Sequence, residues 1–321
     1  MVRGRIVKDI AGLSALVPAW RHLLARASNA QPALTPLWLL AWWREFGDAD
    51  GRALRVVAVE DAGELVGLVP LSSRLSLHRR AIPVRRVELL ASGEEEADEI
   101  GSDYLGGLTA RGREADVAVV TGEAVARGDA GAWDELRMPA MSGDDALVAK
   151  LASELRRRGV ETTVESVAEC PFIPLPATWD AYVRALGPSQ RYAVVRSLRE
   201  LEKWAGKAGW ELRSAAKPED LREGRRVLRD LHAHRWRASG RAGAFASVRF
   251  SRFHDEVMPR LCVGDDGASL DLLWLLARGE PIAASYSIRF GGKVHFYQSG
   301  RRVDLPKALR PGIALHALAI R

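Results

Sequence analysis

A chain of 321 residues with 47% hydrophobic positions can bury about two cores of ordinary domain size. Its net charge of +6 arises from 47 basic and 41 acidic residues, only seven of the bases being lysine, so the excess is small and spread out and argues against a nucleic-acid-binding surface. Two cysteines, Cys170 and Cys262, lie too far apart for a metal-ligand spacing, which excludes a zinc module and fits free, buried thiols in a reducing compartment.

In chain order, Arg3, Arg5, Lys8 and Asp9 interrupt any signal-peptide core, and no stretch approaches the roughly 20 apolar residues of a membrane span, so a cytoplasmic protein is expected. Apolar spacing near 3.6 predicts helices over 12–27 and 36–47. A strand over 54–60, a turn at 61–64 and a return strand over 65–71 follow. The region 93–107 reads as a loop with a solvated acidic run, Glu94-Glu95-Glu96. A helix over 146–158 stops at Gly159, and a strand is expected over 160–167. Pro171, Pro174 and Pro176 disfavour helix and mark an extended connector, so the expected domains are 1–168 and 169–321.

The second half opens with helices over 179–186 and 190–208. On the latter, Val194, Leu198, Leu201 and Ala205 share one face, and Arg196, Arg199, Lys203 and Lys207 another. That basic face reads as a solvated surface partnered by Glu200 and Glu202. A Trp-containing helix over 221–236 carries Asp230, His232 and His234. Histidines two apart on a helix point about 200° from each other, so a metal is not expected and a general-base role for His232 or His234 is the chemical alternative to a packed ring. Strands over 270–277, 282–290 and 293–299, joined by turns at 278–281 and Gly291-Gly292, form an antiparallel meander. Pro311 then opens a helix whose exposed N–H groups and positive dipole end suit a phosphate. The first-half hairpin at 54–71 repeats the design of the hairpin at 270–288. No nucleophile elbow, Cys-His pair or P-loop lysine motif is present.

Tyr297-Gln298-Ser299-Gly300, followed ten residues on by Arg310-Pro311-Gly312-Ile313-Ala314-Leu315, resembles the acyl-CoA segment of the GNAT superfamily, and the CelD-like acyltransferases in particular. Three further blocks carry the same resemblance in the same order. They are Thr35-Pro36-Leu37-Trp38-Leu39-Leu40-Ala41-Trp42-Trp43, then Gly101-Ser102-Asp103-Tyr104-Leu105, then Leu231-His232-Ala233-His234-Arg235-Trp236 leading to Gly243-Ala244-Phe245 and Arg249-Phe250. The phosphate-loop pattern survives as Gly312-x-Ala314, with Leu309 where a basic or amide residue is usual.

The resemblance implies an α/β (mixed α+β) fold of tandem GNAT-like domains, each a largely antiparallel twisted sheet flanked by helices, the second carrying acyl-CoA. Acetyl-CoA or another acyl-CoA would be the co-substrate and no metal is implied. Gln298, Ser299, Arg310, Pro311, Gly312, Ile313 and Ala314 would hold the acyl-CoA, the strand backbone pairing with the pantetheine arm. Asp103, His232 and Tyr297 would be the catalytic candidates, with Asp103 orienting the acceptor amine and Tyr297 protonating the leaving thiolate. The acceptor would be a small molecule or an envelope or exopolysaccharide precursor bearing an amine. A Fem-like transferase using charged tRNA, in which the basic helix at 191–207 would help hold a phosphate-bearing substrate, and a non-catalytic scaffold of a polysaccharide synthesis complex, are the alternatives. Because GNAT domains continue with further strands after this helix, the resemblance also implies that the C-terminal half is incomplete.

Overall fold

Pro18 decides the start of the fold. It lacks the N–H that would continue the first helix onto Ser14, and the expected 12–27 helix is accordingly two, α1 (Ile10–Ala15) and α2 (Val17–Arg26), behind strand β1 (Arg3–Val7). The computed structural model describes residues 2–78 and 81–321, which divide into two compact units, Met1–Ala168 and Glu169–Arg321. Among the described residues no helix is long and apolar enough to cross a membrane.

In the first unit, α3 (Pro36–Phe46) is apolar all round and almost wholly buried, as a helix without a polar stripe must be. Thr35 caps it, its hydroxyl accepting from the Trp38 N–H at 3.2 Å, and Pro36 occupies the position where a missing N–H costs nothing. Two four-stranded sheets follow. One has the order β1, β3 (Val56–Asp61), β4 (Glu64–Val69) and β7 (Leu108–Thr109), all antiparallel. The other joins β2 (Ala53–Leu54), β5 (Leu71–His78), β6 (Ile82–Leu89) and β8 (Glu135–Arg137), with β6 and β8 parallel. Helices α4 (Glu114–Ala126) and α5 (Ala146–Arg157) pack on each other, and α4 lies on the first sheet. Helix α4 is absent from the sequence reading.

The strand expected over 160–167 does not form. From 160 to 176 the chain has no helix or ladder and is almost entirely exposed, because strand propensity is realised only where a partner strand and a face to bury exist. Cys170 falls in this segment and is exposed, correcting the expectation of a buried thiol there; both cysteines are free.

The second unit is a three-layer sandwich. After α6 (Trp179–Ala185) and α7 (Pro188–Ala205), the antiparallel sheet runs in the order β12 (Lys293–Arg301), β11 (Glu280–Phe290), β10 (Ser269–Ala277) and β9 (Trp210–Ser214). Helices α8 (Pro218–Arg237), α9 (Val248–Cys262) and α10 (Pro311–Ile320) complete it. Alternation along β10 assigns the faces. Leu275 and Ala277 join Leu201 and Ala205 of α7 and Ala314 and Leu315 of α10 in one cluster, whereas Leu272 and Trp274 meet α8 at Gly224. Helix α9, which the sequence reading lacks, presents Phe250, Phe253, His254, Val257, Met258 and Leu261 inward at helical spacing.

Gly300 permits the closest approach. A Cβ there would lie 2.2 Å from the backbone nitrogen of His232, so α8 can rest on β12 only because the position has no side chain.

Candidate active site

The start of α10 faces a pocket of about 330 Å³ lined by Tyr192, Ala193, Arg196, Lys307, Ala308 and Arg310. Three of the six are cationic, and three, Arg196 among them, come from the basic helix α7. Arg196 donates to the Tyr192 hydroxyl at 2.9 Å and sits over its ring, while Glu200 lies 4.0 Å from Arg196 Nε. Arg310 is the N-cap and holds left-handed angles, φ 43° and ψ 63°, which a non-glycine residue adopts at a cost. That conformation turns its carbonyl into the helix, where it accepts from the N–H groups of Ile313 at 2.9 Å and Ala314 at 3.1 Å. Leu309, where the motif's polar residue would be, is instead 1% exposed in the α7/α10 core, and Arg310 takes the solvent side. Around Gly312 there is room: an added Cβ would meet only Arg301 Cδ, at 3.6 Å. Pro311 and Ala314 are buried and Ile313 is half-buried, so the helix start presents these three mainly through their backbone.

On the opposite face, β12 is the outer strand of the sheet, and its register with β11 slips between Tyr286 and Ser287. Gln298 pairs with Tyr286 and Phe296 with Ser287, leaving Tyr297 as the extra residue of a bulge. Its hydroxyl lies 2.9 Å from Nε2 of His254, a residue that the sequence reading passed over. The structure brings His232 and Ser299 together differently from a base beside a substrate. His232 Nδ1–H donates to the Ser299 carbonyl at 2.9 Å, and Nε2 accepts from the Ala244 N–H at 3.2 Å. The ring is 1% exposed, and burial pushes its pKa below the ordinary value, the Ser299 carbonyl partly opposing. Both nitrogens are thus spent on tying α8, β12 and the turn at 244–246 together. His234, pointing away, has Nε2 3.4 Å from Asp304, and the Ser299 hydroxyl accepts from Arg235 at 3.1 Å. Among the described residues no group of three or more His, Cys, Asp or Glu side chains is placed to hold a metal.

In the first unit, a bond joins the blocks 35–43 and 101–105, Trp38 Nε1–H donating to the Ser102 hydroxyl at 2.9 Å. Asp103 is exposed at the next position, and partial desolvation raises its pKa above the usual carboxylate value. The acidic run is not uniformly solvated as expected. Glu94 accepts from Trp42 Nε1–H, and burial raises its pKa, while Glu95 and Glu96 remain exposed. Beneath it, Arg52 and Arg74 both pair with the buried Glu88 and donate to the Gly93 carbonyl, which pins the loop.

Residues 188–321 match the family model described as an acetyltransferase (GNAT) domain. The comparison with curated protein sequences finds no match. Among solved structures, the crystal structure of FemX is similar with a TM-score of 0.55 and 10% identity, over 94% of this chain and 83% of that one. A conserved protein of unknown function from Bacteroides thetaiotaomicron gives a TM-score of 0.52 and 11% identity, over 100% of this chain and 87% of that one. A tandem GNAT protein from the clavulanic acid biosynthesis pathway gives 0.41 and 15%, over 98% and 84%. At these identities the first two likenesses concern the fold alone.

Proposed function

We propose that the protein is an N-acyltransferase that moves an acyl group, acetyl in the simplest case, from acyl-CoA to an amine. The observation that carries this reading is the cationic pocket at the start of α10, inside the segment that matches the acetyltransferase domain. Arg196, Lys307 and Arg310 supply positive charge for a pyrophosphate, and the helix start adds its dipole and the room at Gly312. The outer edge of β12 offers backbone groups to the pantetheine amides. Transfer would be direct: the amine attacks the thioester carbonyl, backbone N–H groups stabilise the oxyanion, and the thiolate leaves. The sequence blocks favour the CelD-like group and, with it, an envelope or exopolysaccharide precursor as acceptor, with Asp103 handling the amine.

A second reading has a specific support, the basic face of α7 with Arg196 in the pocket: a Fem-like transferase whose donor is charged tRNA. Thermal shift separates the two, because a ligand that binds only the folded state raises its stability. Acetyl-CoA and longer acyl-CoAs are expected to raise the melting temperature, and the charge reversal Arg310→Glu to abolish the rise. A rise with tRNA alone, lost at higher salt, selects the second reading. No rise with either donor supports a scaffold.

A further inference from the structure

His254 is 0% exposed in a box of aromatic rings: Phe250 at 4.5 Å, Phe253 at 4.9 Å, Tyr297 at 5.0 Å and Tyr286 at 5.5 Å between centroids. Its two nitrogens each reach a tyrosine. Nε2 is 2.9 Å from the Tyr297 hydroxyl on β12, and Nδ1 is 3.4 Å from the Tyr286 hydroxyl on β11. The three polar groups form a line from the interior of the sheet to the bulge.

We propose that His254 is a positioning residue that fixes the Tyr297 hydroxyl as a proton donor whose hydrogen is directed away from His254, set in that direction by the buried Tyr286. The proposal rests on the acyltransferase reading for its chemistry but not for its geometry. Tyr286 is 0% exposed, and a buried hydroxyl whose hydrogen finds no acceptor is destabilising. His254 Nδ1 is within its reach, so Tyr286 donates and Nδ1 accepts. A neutral imidazole then carries its one hydrogen on Nε2, and that hydrogen points at the Tyr297 oxygen. Since the Tyr297 oxygen accepts from His254, its own hydrogen is directed elsewhere.

The surroundings keep the imidazole neutral. Burial, then Arg229, then Arg225 push its pKa down to about 3. The charged and titratable groups near it include Arg225 and Arg229 on α8, both paired with Asp255 of α9, and Tyr286 and Tyr297 on the sheet. His232, in the same aromatic cluster through Phe245, is the internal contrast: its Nδ1 donates to a carbonyl, so its tautomer is the opposite one.

In the transfer step the amine nitrogen forms a bond to the thioester carbon, and the C–S bond breaks with its electron pair going to sulfur. The Tyr297 O–H gives its proton to that sulfur, yielding the free thiol of CoA. The phenolate left behind keeps the hydrogen bond from His254 Nε2–H, and is reprotonated by water with the proton that the attacking amine releases. Tyr286 cannot take part as an acid, since burial pushes its pKa far above the ordinary tyrosine value. It sets direction only.

Two measurements test this. The first is ¹⁵N NMR of full-length protein labelled at histidine, the His254 signals being those missing from His254→Gln. A protonated Nε2 and bare Nδ1 is expected for His254; a bare Nε2 overturns the proposal whatever the protein's activity. The second is steady-state thiol release from acetyl-CoA with a panel of amines. His254→Phe and Tyr286→Phe are expected to lower kcat roughly tenfold, a modest share of what acid catalysis supplies, with KM for acetyl-CoA unchanged. His254→Gln retains an N–H for Tyr297 and a carbonyl for Tyr286, and is expected to recover most of kcat; it also serves where His254→Phe fails to fold. Parent-like kcat in all three variants overturns the catalytic part. Absence of thiol release by the parent itself sinks the acyltransferase reading instead, and leaves the orientation to be judged by the tautomer.

Discussion

Gly312 and Asp103 are the two positions where a single side chain tests the proposed reaction. An aspartate at Gly312 would add bulk and negative charge at the start of α10, beside a pocket whose lining includes Arg196, Lys307 and Arg310. Gly312→Asp is expected to weaken CoA binding roughly tenfold, about 1.4 kcal/mol, by titration calorimetry. Equal affinity in variant and parent would move the phosphate site elsewhere. Asp103 is held next to Ser102, which Trp38 anchors, and its carboxyl is partly desolvated. Asp103→Asn is expected to slow acyl transfer by roughly a hundredfold while CoA affinity stays as it was. Undiminished turnover across the pH range would reduce Asp103 to a turn residue. At this scale the sequence was informative about identity and poor about role. His232 stands in a conspicuous block, yet its ring bonds two backbone groups. His254 stands in no block, yet lies between two tyrosines. Its one legible signal was its place in the inward stripe Phe250, Phe253, His254, Val257 of a helix.

At the scale of elements, the seam between α8 and β12 and the seating of α9 on the sheet are the joints on which the site depends. Gly300→Ala places a methyl group 2.2 Å from the His232 backbone, which only movement of α8 can relieve. The cost is expected to be about 1–3 kcal/mol in urea unfolding, with the His232–Ser299 bond loosened. A midpoint equal to that of the parent would show that the seam is slack. His254 gives α9 an acid limit of its own. Its folded pKa of about 3 lies below the ordinary 6.5, so between those values the unfolded chain binds more protons, and stability falls as pH drops from about 6.5 toward 3. The paired carboxylates Asp304 and Glu154, lowered to about 2 by Arg302 and Arg157, lose their contribution in a lower window, below their ordinary values of 3.8 and 4.5. His254→Gln, which does not titrate, is expected to flatten the decline between pH 6.5 and 4.5. An unchanged slope there would remove His254 as its cause.

For the molecule as a whole, the segment 160–176 is the exposed thread between two compact units. It contains no lysine or arginine, so trypsin is blind to it, but Glu161, Glu165 and Glu169 are all exposed. Limited digestion with a glutamate-specific protease is expected to cut there first and release two resistant fragments, since exposed chain without backbone ladders is where nicking concentrates. First cuts outside 160–176 would contradict the division.

The sequence by itself determined the meander at 269–301, the helix opened by Pro311 and the inward stripe of α7, because each rests on local period, turn residues and proline geometry that a few neighbouring positions specify. It also supplied the acyltransferase resemblance, and residues 188–321 match an acetyltransferase domain model. The tertiary structure alone decided the rest. Whether 160–167 becomes a strand depends on a partner that the segment cannot carry within itself, and none is supplied. The strand partners of His232 and His254 lie 67 positions away for the first and 32 and 43 for the second, and a bulge places Tyr297. Arg310 meets Arg196 at one pocket only because α7 and α10 share a sheet face. Local chemistry writes elements into the chain, but a site is a set of distances between elements, and those are fixed by packing.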